Sequence, residues 1–147
     1  MSGCVIDTSV LVRLANPHDQ LHSQAVEAVR QLQLRHLMPY LTPQIVAEFW
    51  NVATRPVTVN GLGWSIRDVA SYVFTLLENI DILSDTAQSF YLWLYLVITH
   101  DVHGKQVHDA RLVATMLTHG IHYLLTFNGD DFRRYADFIT LIDAGMP

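Results

Sequence analysis

Short apolar runs rich in strand-forming residues alternate along this chain with longer stretches whose apolar residues recur at helical spacing. Parallel strands are buried on both faces and read as near-continuous apolar runs, and each needs a crossover of about a dozen residues, usually helical. The candidate strands are residues 4–6, 37–41, 80–83, 123–125 and 138–142. Between them lie helical patterns over residues 10–15, 19–35, 43–53, 65–77, 85–99 and 107–117. This order predicts an α/β fold in one domain over residues 1–147: a central, mainly parallel sheet of about five short strands flanked by helices.

Local signals sharpen the boundaries. Thr42-Pro43 starts a helix, with Thr as N-cap and Pro at the first helical position. Ser65 and Asp68 resemble a capping box with Asp in the usual Glu place. Gly120 marks a helix C-terminus. Residues 85–99 are apolar on every side. The spacing predicts a buried stripe of Ala87, Phe90, Tyr91, Leu94, Tyr95 and Ile98, with Leu92, Trp93, Leu96 and Val97 covering the other sides. A helix apolar all round is central or packs against another subunit, so a homodimer contact is expected here.

The composition narrows the class. Half of the 147 residues are hydrophobic, which supports a real core and argues against a disordered chain. The single cysteine, Cys4, excludes an internal disulfide and a Cys-based zinc site. No basic region followed by an apolar stretch opens the chain. The longest apolar run, residues 90–98, is far short of the roughly 20 residues of a membrane helix. A soluble, cytoplasmic protein with no membrane partner is the expectation. The net charge of -5 disfavours gripping nucleic acid by bulk electrostatics. Acids gathered around a divalent cation answer that objection, because the ion reverses the local sign.

The acids are placed to do so. Asp7 ends the first apolar run, and Asp131 lies in the turn after the strand at 123–125. In open α/β sheets, ligands bind outside the carboxyl ends of the strands, so these two share one edge. Asp109, in the first turn of its helix, and Glu48, in an apolar helical setting, are placed to face the same edge. Each has a structural explanation as well: Asp7 as an N-cap, Asp109 as a favourable charge at a helix start. Four converging carboxylates repel, at about 4 kcal/mol per pair at 4 Å and an effective dielectric near 20. Mg²⁺ or Mn²⁺, with hard oxygen ligands, neutralises such a set. A metal held this way activates water and clamps a phosphodiester for in-line attack. His18 and His22, one turn apart, lack a third ligand nearby.

The chain resembles the PIN-domain ribonucleases, and among them the VapC-like toxins of type II toxin–antitoxin pairs. The resemblance spans essentially the whole chain. It rests on Val5-Ile6-Asp7-Thr8-Ser9, Ala47-Glu48-Phe49, His108-Asp109-Ala110-Arg111, and Leu124-Leu125-Thr126-Phe127-Asn128 with Asp131-Phe132. It implies a PIN-like three-layer fold and a Mg²⁺- or Mn²⁺-dependent endoribonuclease with Asp7, Glu48 and Asp109 around the metal. It also implies that Thr8 and Thr126 hold the acidic site or substrate, and that a small antitoxin covers it. The sequence departs from many relatives at Asn128, where they carry the fourth acid; Asp131 is the other acid available.

RNA would meet Arg13, Arg55, Lys105, Arg111, Arg133 and Arg134, and the adjacent Arg133 and Arg134 are the favoured phosphate contacts. Asp101 and Asp130 rank below the four acids. Two other readings stand beside the nuclease. One is a phosphatase with Asp7 as nucleophile, weakened because its usual second Asp is Ser9 here. The other is a catalytically weak RNA- or partner-binding module.

Overall fold

The computed structural model describes residues 1–146. Its strands are β1 (Gly3–Ile6), β2 (Met38–Leu41), β3 (Asp81–Ile82), β4 (Tyr123–Thr126) and β5 (Thr140–Asp143). Its α-helices are α1 (Thr8–Ala15), α2 (His22–Leu34), α3 (Pro43–Thr54), α4 (Ile66–Asn79), α5 (Ala87–Thr99) and α6 (Val107–Thr118). Short 3-10 turns occupy Val57–Val59, Gly104–Gln106 and Gly129–Tyr135. The sheet order is β3-β2-β1-β4-β5, with every neighbouring pair parallel.

The chain lays down β1, β2 and β3 in one direction, then crosses back to add β4 and β5 beyond β1. Right-handed crossovers running in opposite directions fall on opposite faces of a sheet. Accordingly α1 packs with α2 and α3, and α3 with α4, while α5 packs on α6 and α6 on the Gly129–Tyr135 turn. The result is three layers, as expected for a PIN-like α/β fold. The direction reverses between β1 and β4, which is where open α/β sheets bind ligands.

All four residues of β1 are buried. Val5 and Ile6 pair with Leu124 and Leu125 of β4. Cys4 is sealed in this strand, and burial pushes its thiol up to about 12, so it behaves as a small apolar residue. On α3, Phe49 stacks on Tyr72 and meets Trp64 edge-on, which ties α3 to α4.

The helix starts follow their sequence signals. Thr42 accepts the Ile45 amide at 3.2 Å, and Ser65 accepts the Asp68 amide at 3.1 Å. A reciprocal capping box forms instead at α5, between Thr86 and Ser89. Ser89 is not the usual Glu or Gln, so the pattern was silent there. Gly120, at φ +70°, follows the end of α6. The last strand begins at Thr140, because the amides of Phe138 and Ile139 bond back to the Tyr135 carbonyl and hold a turn.

One expectation fails. The stripe assigned to the interior of α5 is its outer face: Ala87, Phe90, Tyr91, Leu94, Tyr95 and Ile98 are all exposed. Ser89 and Leu96 are buried instead, flanked by partly buried Leu92, Trp93 and Val97. Periodicity cannot choose a buried side on a helix that is apolar all round. Packing on α6 chooses it, helped by the Trp93 indole, which donates to the Val107 carbonyl at 2.8 Å. Among the described residues no helix is long and apolar enough to cross a membrane.

Candidate active site

Asp7 follows β1 directly, and its amide donates to the Leu125 carbonyl at 2.9 Å, locking it against β4. It occupies the N-cap position of α1, yet its side chain makes no capping bond. Oδ2 instead accepts from Ser9 Oγ at 2.8 Å and from Thr126 Oγ1 at 2.7 Å. Those hydroxyls in turn accept from the amides of Phe127 and Asn128, at 3.1 and 2.9 Å. Each hydroxyl so receives an amide hydrogen and passes its own to the carboxylate. Asp7 is only 8% exposed, and the two hydroxyls satisfy its buried Oδ2. Among the described residues Oδ1 accepts no hydrogen bond.

Glu48 sits midway along α3. Its Oε2 accepts from Thr8 Oγ1 at 3.2 Å and its Oε1 from Gln44 Nε2 at 2.7 Å. Asp109 lies in the first turn of α6. Its carboxyl is pushed up to about 6, first by burial and then by the negative charges of Asp131, Asp7 and Glu48; Arg134 acts the other way. Asp7, Glu48, Asp109 and Asp131 line one cleft of about 290 Å³, together with Thr8, Ser9, Arg13 and Asn128. An adjoining cleft of about 620 Å³ shares Glu48, Asp109 and Asp131 and extends to Gln44, Lys105 and Arg111. Among the described residues no three His, Cys, Asp or Glu side chains are grouped tightly enough to hold a metal ion as they stand.

The fold divides the candidate cations. Arg13 reaches the acidic cleft, donating to the Ser9 carbonyl at 2.8 Å with its guanidinium 4.8 Å from the Phe127 ring centre. Arg133 pairs with Asp130 at 2.8 Å and lines a neighbouring groove that it shares with Thr126, Asn128 and Asp131. Arg134 donates to Gln106 Oε1 at 2.9 Å, Arg111 pairs with Asp85 at 3.0 Å, and Arg55 donates to the Asn60 carbonyl at 3.1 Å. Asp101 lies outside both acidic clefts, beside His103 at 3.2 Å. His22 bonds the Arg13 carbonyl at 2.8 Å rather than pairing with His18.

Two residues of the site carry roles that the sequence does not mark. Ser9, two residues after Asp7, reads there as part of a motif and as the residue in place of a phosphatase's second Asp. Gln44 stands one helical turn before Glu48, a spacing at which side chains meet.

A parallel sheet with carboxylates gathered where its chain direction reverses defines a class of α/β proteins with an acidic site. The chain belongs to the PIN-domain family, whose model matches residues 4–138. Solved structures share the fold. The Mycobacterium tuberculosis toxin VapC20, described as cleaving the sarcin-ricin loop, has 21% identity and a TM-score of 0.68 over 93% of this chain and 97% of its own. VapBC-1 of nontypeable Haemophilus influenzae has 18% identity and a TM-score of 0.67, over 96% and 97%. VapBC2 of Rickettsia felis, bound to promoter DNA, has 15% identity and a TM-score of 0.66, over 95% and 97%. No curated protein matches the sequence significantly.

Proposed function

We propose that this protein is a metal-dependent endoribonuclease and the toxin of a toxin–antitoxin pair, acting in the cytoplasm. The observation that carries the reading is the convergence of Asp7, Glu48, Asp109 and Asp131 on one cleft at the sheet's reversal point. Carboxylates left to themselves do not gather where they oppose one another's ionisation. A cation relieves that opposition, and the donor set is all hard oxygen, the chemistry that suits Mg²⁺ or Mn²⁺.

Asp7, Glu48 and Asp109 would hold the ion, with Asp131 or Asn128 in the fourth position. Bound there, the ion supplies charge neutralisation and an acidified water. The chain's own residues do the rest. Ser9 and Thr126 fix the Asp7 carboxylate and leave Oδ1 open. Thr8 and Gln44 fix Glu48. Arg13 in the cleft, with Lys105 and Arg111 along the adjoining one, would meet phosphates of the RNA, while Arg133 serves the neighbouring groove. The solved VapBC complexes support an antitoxin partner, and the exposed apolar face of α5 supports a homodimer.

The test is cleavage of total RNA by the purified protein with Mg²⁺ or Mn²⁺. Cleavage should stop with a chelator and in both Asp7→Asn and Asp109→Asn. Full activity in either variant, or with chelator, would remove the metal reading of this site, and no cleavage with either ion would leave a binding module.

A further inference from the structure

Gln44 is 8% exposed and uses both amide hydrogens. Nε2 donates to Glu48 Oε1 at 2.7 Å and to the His108 carbonyl at 2.8 Å. Both partners are acceptors, so the amide has one permitted orientation. His108 immediately precedes Asp109. One side chain therefore ties the carboxylate on α3 to the first turn of α6, across helices 64 residues apart in sequence. The other amide atom, Oε1, is buried without a hydrogen-bond partner. A residue kept for packing alone at this position would be Leu or Met, which leave no orphaned acceptor.

We infer that Gln44 is a positioning residue that sets the Glu48 carboxylate at a fixed place relative to Asp109. The inference rests on reading the cleft as a metal-dependent site. With Thr8 on Oε2 and Gln44 on Oε1, both Glu48 oxygens have a donor that fixes their direction. Without the amide, Glu48 keeps only the longer Thr8 bond, and α6 loses its link to α3 at Asp109. Outer partners of this kind typically change metal affinity or activity by about 10- to 100-fold. Glu at this position would set a carboxylate against a carboxylate, and Asn is one methylene too short to reach both acceptors.

Two measurements test it. In metal-free protein, the Gln44 side-chain amide resonances should move on Glu48→Gln, which replaces a charged acceptor by a neutral one. Unmoved resonances would overturn the inference. In Mn²⁺ titrations followed by calorimetry, Gln44→Met should weaken binding at least about tenfold. In a Glu48→Gln background the further loss should be smaller, because only the His108 link is then removed. Unchanged Mn²⁺ binding in Gln44→Met, or additive losses in the double variant, would overturn the inference. If Gln44→Met does not fold, Gln44→Asn serves, with the same loss expected. If the wild-type protein binds no Mn²⁺, the metal reading falls, and the metal-free resonances alone decide whether Gln44 holds Glu48.

Discussion

At the carboxyl end of β1, polar groups are buried: Asp7 at 8% exposure, Thr126 at 0% and, beside them, a half-buried Asp109. On the outer face of α5, apolar groups stand in water: Tyr91 at 68%, Tyr95 at 59% and Ile98 at 71%. The two regions depart from the ordinary pattern in opposite senses, and the chain treats them differently. In the cleft each carboxylate oxygen that is held has a specific donor, down to backbone amides behind the hydroxyls. On α5 no such network exists, because apolar surface can be satisfied only by being covered. The proposed cation would answer the first departure, and the proposed homodimer the second.

The largest expected effect is in the cleft. Asp7→Asn should lower RNA cleavage at saturating Mn²⁺ by more than about 100-fold, beyond the loss usual for an outer partner, with an unchanged far-ultraviolet circular dichroism spectrum. A loss of less than tenfold would mean that the buried polar region is structural. Thr126→Val keeps the shape but removes a buried donor to Asp7 and strands the Asn128 amide. Urea unfolding should show a loss of about 1–3 kcal/mol. A neutral result would place the stability of Asp7 on Ser9 alone.

On α5, Tyr95→Glu with Ile98→Glu should convert a dimer to a monomer in analytical ultracentrifugation with an unchanged far-ultraviolet circular dichroism spectrum. A wild-type protein that sediments as a monomer at high concentration would break the comparison at its apolar end. The smallest effect is again in the cleft. Asp109 titrates near 6 in the native chain against 3.8 as the ordinary value, so the native state holds this proton more tightly than the unfolded one. Its ionisation therefore costs stability as pH rises from about 4 through about 6, and the cost persists above that. Asp109→Asn should stabilise the metal-free protein at pH 8 by about 1 kcal/mol, after screening at this half-buried position is allowed for. The gain should vanish towards pH 4, read by denaturant midpoints at each pH.

Much of this arrangement was legible because it depends on neighbours in the chain. Val5 and Ile6 before Asp7 announce a buried strand ending in a carboxylate, and Thr42-Pro43 announces α3. Where two local readings competed, sequence could not decide. Asp7 sits at an N-cap position and still points its carboxylate at Ser9 and Thr126, because Thr126 arrives from β4, more than a hundred residues away. The buried side of α5 carries the same ambiguity: helical spacing fixes which residues share a side, while the partner helix fixes which side is covered. Ser9 and Gln44 went unassigned because a hydroxyl or an amide acquires a role only through the group it meets.

Local sequence sets the alternation of strands and helices, the caps at Thr42 and Ser65, and which acids stand at the end of a strand or the start of a helix. These follow from backbone geometry over a few residues. Only the tertiary structure decided that positions 7, 48, 109 and 131 line one cleft, that Arg13 joins them, and that the exposed side of α5 carries Tyr91, Tyr95 and Ile98. Those outcomes depend on β4 being added beside β1 rather than beyond β3, a choice made by burial summed over the whole sheet and by no short stretch of residues.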